Sequence, residues 1–367
     1  MTTVASPPVE PAPAPSAPGL PAKRGRGVST LWRYLIIRFL LIFPTVFILV
    51  TMVFVLMRIT GDPITIALGG KLPPDQLAAR IHQAGYDRPI IVQYLEYLGH
   101  IFTGNFGTSI TDGQPISQIL LTHGGATLEL TFYALIVAFA IGIPLGQVAA
   151  YLRDRWPDAV LRIFAILAYA TPVFFAGLLL KLVFAVWLDV LPVAGRASTR
   201  TEILFASMPN RSGIHLIDAL RSGDPQIIGD VLSHAVLPGL TLGLLTAGIF
   251  LRLVRTNVIG TLSRDYVDAA RSRGVREIRL VRKHAWKPAL IPIITVIGLQ
   301  IAVLLGGAVL TETTFEWKGL GFELAYYLSK RDFVAVQGIV ALLAVIVALT
   351  NFIVDIIVAL IDPRVRY

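Results

Sequence analysis

The chain has no cysteine, which excludes disulfides, thiolate metal sites and cysteine nucleophiles. Charge is almost as scarce: Asp, Glu, Lys and Arg make up 15% of 367 residues, against the roughly 25% that soluble domains carry. The six histidines, at 82, 100, 123, 215, 234 and 284, show no pairing at metal-ligand spacing, and no Gly-x-Ser-x-Gly elbow is present. A phosphate-binding loop is missing as well, because Gly70-Lys71 runs on into Leu72 where such a loop needs Ser or Thr. Catalysis, ATP hydrolysis and a resident cofactor or metal are therefore not expected of this chain.

What is abundant is apolar sequence, 55% of the residues. It gathers into six uncharged runs, at 39–57, 130–152, 163–180, 235–251, 288–311 and 333–354, each near the length that crosses a hydrocarbon core as a helix. Only helices cross a bilayer in this way, since open backbone in lipid would go unsatisfied. The expected fold class is thus an all-α polytopic membrane protein with six transmembrane helices. An even number of spans puts both termini on one side.

The charge distribution assigns that side. The segments 1–38, 153–162, 252–287 and 355–367 hold 20 basic and 8 acidic residues, whereas 58–129, 181–234 and 312–332 hold 12 and 15. By the positive-inside rule the first set, with both termini, is cytoplasmic. Basicity here reports topology and lends no support to a nucleic-acid partner. Residues 1–33, rich in Pro, Ala and Ser, are expected to be a disordered cytoplasmic tail, and 34–58 the uncleaved first span, with no small-residue cleavage site after it.

Residues 59–125 form an outer region in which Leu77, Ile81, Ile91, Tyr94, Leu95 and Leu98 recur at helical spacing, as expected of a segment folded against the outer mouth. The 126–361 core carries the other spans, near 129–152, 161–188, 233–252, 288–311 and 333–356, and 362–367 is a short cytoplasmic end. The second outer loop, near 189–234, is rich in Gly, Ser, Pro and Asp. Prolines 44, 144, 172, 238 and 292 place one potential kink in each of the first five spans.

The connector 252–287 carries 10 of the basic residues and is the one sizeable cytoplasmic element besides the tail. Leu262 to Ala270 and Ile278 to Trp286 suit two short helices hinged at Gly274. Ala269 and Ala270 have little side chain, so a partner's groove can close around them. Arg271, Arg273, Arg276, Arg279, Arg282 and Lys283 would ring the element, facing lipid headgroups or acidic residues of a partner. A plain juxtamembrane basic loop that only sets topology remains open on composition alone.

Asp265, Tyr266, Asp268, Ala269, Ala270, Arg271 and Gly274 make the connector resemble the coupling motif of bacterial ABC-importer permeases, in which Glu-Ala-Ala is followed by Gly four residues after the second Ala. Here Asp268 stands in the Glu position, and the later apolar-Pro element is Leu290-Ile291-Pro292. The resemblance runs from Tyr34 to Tyr367 and is to the dipeptide/oligopeptide/nickel branch. It rests on Gly61-Asp62-Pro63, Asp87-Arg88-Pro89, Gly104-Asn105-Phe106-Gly107-Thr108-Ser109, Thr311-Glu312-Thr313-Thr314-Phe315 with Gly319-Leu320-Gly321, and Asp362-Pro363-Arg364. It implies a type I importer permease of a bacterial inner membrane, paired with a second permease, two ATP-binding subunits and an extracytoplasmic binding protein. ATP and Mg would then sit on the partner ATPases. Di- and oligopeptides lead as substrates, with nickel complexes, haem-like compounds and sugars behind.

The substrate path leaves a weaker mark. Candidates are Tyr169, Thr171 and Phe174 in the third span, Gln300 in the fifth, and Glu129 and Glu312 near outer ends, because an ionisable group in a span should face a cavity or a partner. Asp355 is expected to pair with an inner arginine, and Lys181 to snorkel outward. Two other classes fit less well. An ion-coupled secondary transporter needs midplane carboxylates that are missing here, and a membrane-anchored receptor needs a folded soluble domain.

Overall fold

The apolar runs become long helices. The computed structural model describes residues 28–361, so the Pro-rich segment before Val28 and the terminal Asp362-Pro363-Arg364 string lie outside the described residues. Helix α1 spans Val28–Ile59, beginning ahead of the expected start at Tyr34. Three short helices follow: α2 (Pro63–Leu68), α3 (Pro74–Gln83) and α4 (Ile90–Phe102). Asp62 caps α2 by accepting from Thr65 N at 2.7 Å, with Pro63 at the first helical position, where its missing N–H costs nothing. The Gly61-Asp62-Pro63 string is therefore a helix start.

Helix α5 (Ile116–Tyr151) and helix α10 (Pro225–Leu262) form the spine. At about 1.5 Å per residue both exceed the roughly 30 Å of a hydrocarbon core. Their axes come close because small residues recur every four positions, Gly142 and Gly146 on α5 and Gly239 and Gly243 on α10. A Cβ on Gly146 would lie 2.6 Å from Val254 Cβ, and one on Gly243 2.5 Å from Val137 Cβ. Helix α13 (Trp286–Phe315) packs on both. Leu130, Ala134, Leu242, Leu304, Ala308 and Trp317 meet in the shared core. Helices α14 (Leu320–Ser329) and α15 (Phe333–Ile361) close the bundle against the start of α5. Helix α1 leans on α15, where Arg38 meets Asp355 at 3.4 Å, the pairing expected for that carboxylate.

Among the described residues four helices are long and apolar enough to cross a membrane, α1, α5, α10 and α15, and two bent pairs raise the total to six if each pair counts as one span. The third apolar run is not a straight rod. It divides into α6 (Trp156–Ala170) and α7 (Val173–Leu180, continued by a π-helical stretch Lys181–Trp187), bent by 107°. Pro172 causes the break, since it has no N–H to donate and disfavours helical backbone at Thr171, which sits at φ −77°, ψ 126°. A 54° bend separates Glu277–Leu290 from Pro292–Gly306. Pro44, Pro144 and Pro238 lie inside continuous helices.

Between α7 and α10, the loop rich in Gly, Ser, Pro and Asp holds α8 (Thr199–Ser207) and α9 (His215–Ser222). They are built on buried Phe205, Ala219 and Val231. Lys181 does not snorkel into open surroundings; its ammonium donates to Thr314 O at 3.0 Å and lies over the Phe315 ring, covering the C-terminal end of α13 where a cation is favoured.

Candidate functional site

The connector is shorter than its charge pattern suggested, because α10 stays helical through Leu262. Ser263 and Arg264 break the chain, and α11 then spans Asp265–Ser272. Asp265 and Asp268 occupy its first turn, where acidic groups meet the positive end of the helix dipole. The helix ends in a Schellman motif: Gly274 N donates to Arg271 O at 2.9 Å and Val275 N to Ala270 O at 3.3 Å. Gly274 sits at φ +77° with nothing within 4 Å of a built Cβ. The demand for glycine at 274 is thus made by the backbone, while the space beside it is open.

The two alanines separate. Ala270 is buried with Val267 and Leu280, with Leu262 and Val275 packed around them, so it anchors α11 to its own chain and offers nothing to a partner's groove. Ala269 is exposed and shares a face with Tyr266 and Arg273 at helical spacing. The expected second helix is real but fused: α12 (Glu277–Arg279) runs through a π-helical stretch Leu280–Ala285 directly into α13.

Arg271 belongs to an internal clamp. Its Nε donates to Glu277 Oε1 at 2.6 Å and its Nη1 to Asp268, bridging the two sides of the Gly274 turn. Pairing with Glu277, and then with Asp268, holds the guanidinium above its ordinary pKa. Asp268, Arg271 and Glu277 also line a groove of about 420 Å³ against Tyr151 and Arg153 at the end of α5.

Behind this face lies an ion pair that sequence reasoning missed. Asp158, wholly buried in the first turn of α6, accepts from Arg255 Nε at 2.6 Å and Nη2 at 2.7 Å. The bidentate pair fixes α10 to α6 just before the connector. A like lock at the other end joins Glu129 to Arg196 at 2.6 Å, and the same carboxylate accepts from the backbone of His215 and Leu216.

Among the candidates for a path, Glu129 is thus engaged within the chain, and so is Glu312, which is fully buried. Glu312 accepts from Thr127 Oγ1 at 2.7 Å and Phe322 N at 2.8 Å, and a Cβ on Gly321 would lie 2.9 Å from its Oε2. Its carboxylate ties α5 and α13 to the start of α14. Tyr169 and Phe174 are exposed beside the Pro172 bend, Thr171 donates to Leu167 O, and Gln300 is half-buried on α13. No hydrogen bond joins any two of these candidates among the described residues.

Comparison with known proteins gives this arrangement a family. The profile described as "Binding-protein-dependent transport system inner membrane component" matches residues 142–367, and its N-terminal companion matches 31–129. The chain belongs to this family. It is 38% identical to the di/tripeptide transport system permease protein DppB of Pseudomonas aeruginosa, covering 89% of this chain and 96% of that one. It is 39% identical to the probable D,D-dipeptide transport system permease protein DdpB of Escherichia coli, with 84% and 89% covered. With the glutathione transport system permease protein GsiC of Salmonella choleraesuis it shares 33% identity, with 91% and 99% covered. Among solved structures, a chain of the MetNI methionine ABC transporter aligns at 17% identity and TM-score 0.49, covering 67% of this chain and 97% of that one. As a member of this family the chain is a membrane component of a transport system.

Proposed function

We propose that this chain is one of two permeases of an ATP-driven importer for peptides of two or three residues, and that α11 is its coupling helix. The observation that carries the reading is the glycine-capped α11, which buries Val267 and Ala270 into its own chain and leaves Tyr266 and Ala269 exposed for a partner. Two ATP-binding subunits, holding ATP and Mg, take up that face on the cytoplasmic side, where both termini also lie. An extracytoplasmic binding protein delivers substrate to the opposite end of this multi-pass protein in a bacterial inner membrane.

Movement of the ATPases is passed through a stiff route. The Arg271–Glu277 clamp holds the turn, the π-helical stretch joins it to α13, and Asp158–Arg255 carries it to α6. Rigid-body tilting of spans about such a contact is a known means of alternating access. Substrate preference follows the dipeptide and glutathione transporters that the chain resembles. The test is ATP-driven dipeptide uptake into vesicles holding the assembled transporter. Gly274→Glu is expected to abolish uptake while the complex still inserts; unchanged uptake at equal assembly would overturn the coupling assignment.

A further inference from the structure

A second concave site lies at the end of the bundle away from the connector, between the end of α1, helix α4 and the start of α15. The cavity has a volume of about 220 Å³, and its walls include Phe54, Arg58, Gln93, Tyr97, His100 and Gln337. Four of these residues carry a buried polar atom with no hydrogen-bond partner among the described residues: Arg58 Nε, Gln93 Oε1, Tyr97 OH and Gln337 Nε2. Gln337 is only 8% exposed. Buried polar groups are almost always paired, so four orphans around one cavity mark a place built to receive polar atoms.

The orphans are chemically specific. Gln93 cannot be turned round, because its Nε2 already donates to Tyr86 O at 3.0 Å and Arg88 O at 2.6 Å; its Oε1 is therefore an acceptor. Arg58 is fixed by two rings, 5.3 Å from the Phe54 centroid and 4.5 Å from that of Tyr86. Phe54 stacks in turn on Tyr97 at 5.3 Å. Burial pushes the Tyr97 phenol up, keeping it an O–H donor at neutral pH. Glu96, the one acidic wall residue, is occupied by Arg88. Arg58 and Tyr97 are donors, the first cationic, Gln93 Oε1 is a fixed acceptor, and the Gln337 amide, held by no hydrogen bond among the described residues, can turn its nitrogen or its oxygen to the cavity. An anion with no hydrogen to give would satisfy the donors and leave Gln93 Oε1 unpaired, and water would pair the four atoms without matching the cation beyond what Asp62 already supplies.

We infer that this cavity binds a small molecule bearing a carboxylate with an N–H donor a few atoms away, the pattern of the C-terminal residue of a short peptide. The carboxylate meets Arg58, Tyr97 and Gln337, and the N–H meets Gln93 Oε1. At about 30 Å³ per water the volume equals that of on the order of seven waters, enough for such a residue. The assignment of the ligand as peptide rests on the peptide-import reading; the donor and acceptor set does not.

The test is binding of N-acetylglycine to the assembled transporter in lipid nanodiscs, with N-acetylglycinamide, acetate and inorganic phosphate as controls. Saturable binding of N-acetylglycine above all three controls is expected, weakened roughly tenfold by Tyr97→Phe, which removes a single oxygen, and likewise by Gln337→Leu. Failure to saturate, equal binding of phosphate, or wild-type affinity in both variants would overturn the site. ATP-driven dipeptide uptake is measured on the same preparation; its absence defeats the transport reading and leaves the cavity to be judged on binding alone.

Discussion

At residue scale, His215 shows how a position in a weakly patterned loop becomes specified. It is 1% exposed, stacks near Phe205 with centroids 5.0 Å apart, and among the described residues neither ring nitrogen has a hydrogen-bond partner, Glu202 Oε2 standing 3.7 Å from Nε2. Burial, aided by Arg196, pushes its pKa down to about 2 from 6.5. The folded protein thus binds fewer protons than the unfolded chain below about pH 6.5, and its stability falls as pH drops through that value. The limiting slope is about 1.4 kcal/mol per pH unit. Thermal melts of the detergent-solubilised protein from pH 7 to pH 5 are expected to show this loss, and His215→Phe to flatten it; parallel curves for both proteins would contradict the assignment.

Gly274 was legible in the sequence because a glycine in a polar connector marks a turn or a close backbone approach, and the backbone there is at φ +77°. Gly274→Ala strains that turn by about 1–2 kcal/mol without filling docking space. It is expected to lower the melting temperature slightly while keeping most uptake, in contrast to the bulky Gly274→Glu. Equal loss of uptake in both variants would show that the turn, and not the open space, is what matters. Arg196 and Asp158 were not legible. Their partners, Glu129 and Arg255, lie 67 and 97 residues away, and no local pattern announces a pairing across the fold.

At the scale of elements, the prolines show where local reading stops. All five positions were visible, yet Pro172 breaks its run by 107° while Pro44, Pro144 and Pro238 stay within unbroken helices. For Pro144 and Pro238 the neighbours matter, since α5 and α10 support each other along their length while Pro172 is exposed; exposure alone does not decide it, because Pro44 is exposed too and α1 runs on through it. The α5–α10 contact makes its own prediction. With a built Cβ on Gly146 only 2.6 Å from Val254 Cβ, Gly146→Leu forces the helices apart and is expected to cost at least about 1–3 kcal/mol. Reduced yield and an earlier thermal transition would report it. Gly260, with no atom within 4 Å of its built Cβ, supplies the control, since leucine there should leave the transition nearly in place.

Across the whole molecule, the polytopic class was written in the apolar runs, and the transport family in the order of short strings from the first span onward. Several of those strings prove to be joints. Gly61-Asp62-Pro63 starts a helix, Ser109 donates to Asp332 at 2.8 Å, and Glu312 meets Thr127 beside Gly321. In this chain these strings hold the bundle together at the end remote from the connector, and Glu312, a pathway candidate in the sequence, is wholly buried in one of those joints. In the proposed coupling role, the connector is the part whose purpose lies outside the chain. Its exposed face is Tyr266, Ala269 and Arg273, and it hangs on the bundle by Val267, Ala270 and the Arg271 clamp.

The absence of native cysteine makes the central claim directly measurable. Ala269→Cys in the assembled transporter, treated with a short bifunctional thiol reagent against cysteines placed along the ATPase cleft, is expected to cross-link to the ATP-binding subunit and to arrest ATP-driven uptake when it does. Gly274→Glu in the same background should remove the cross-link. A transporter that takes up dipeptide at full rate while the thiol introduced by Ala269→Cys reaches no ATPase position would contradict the account.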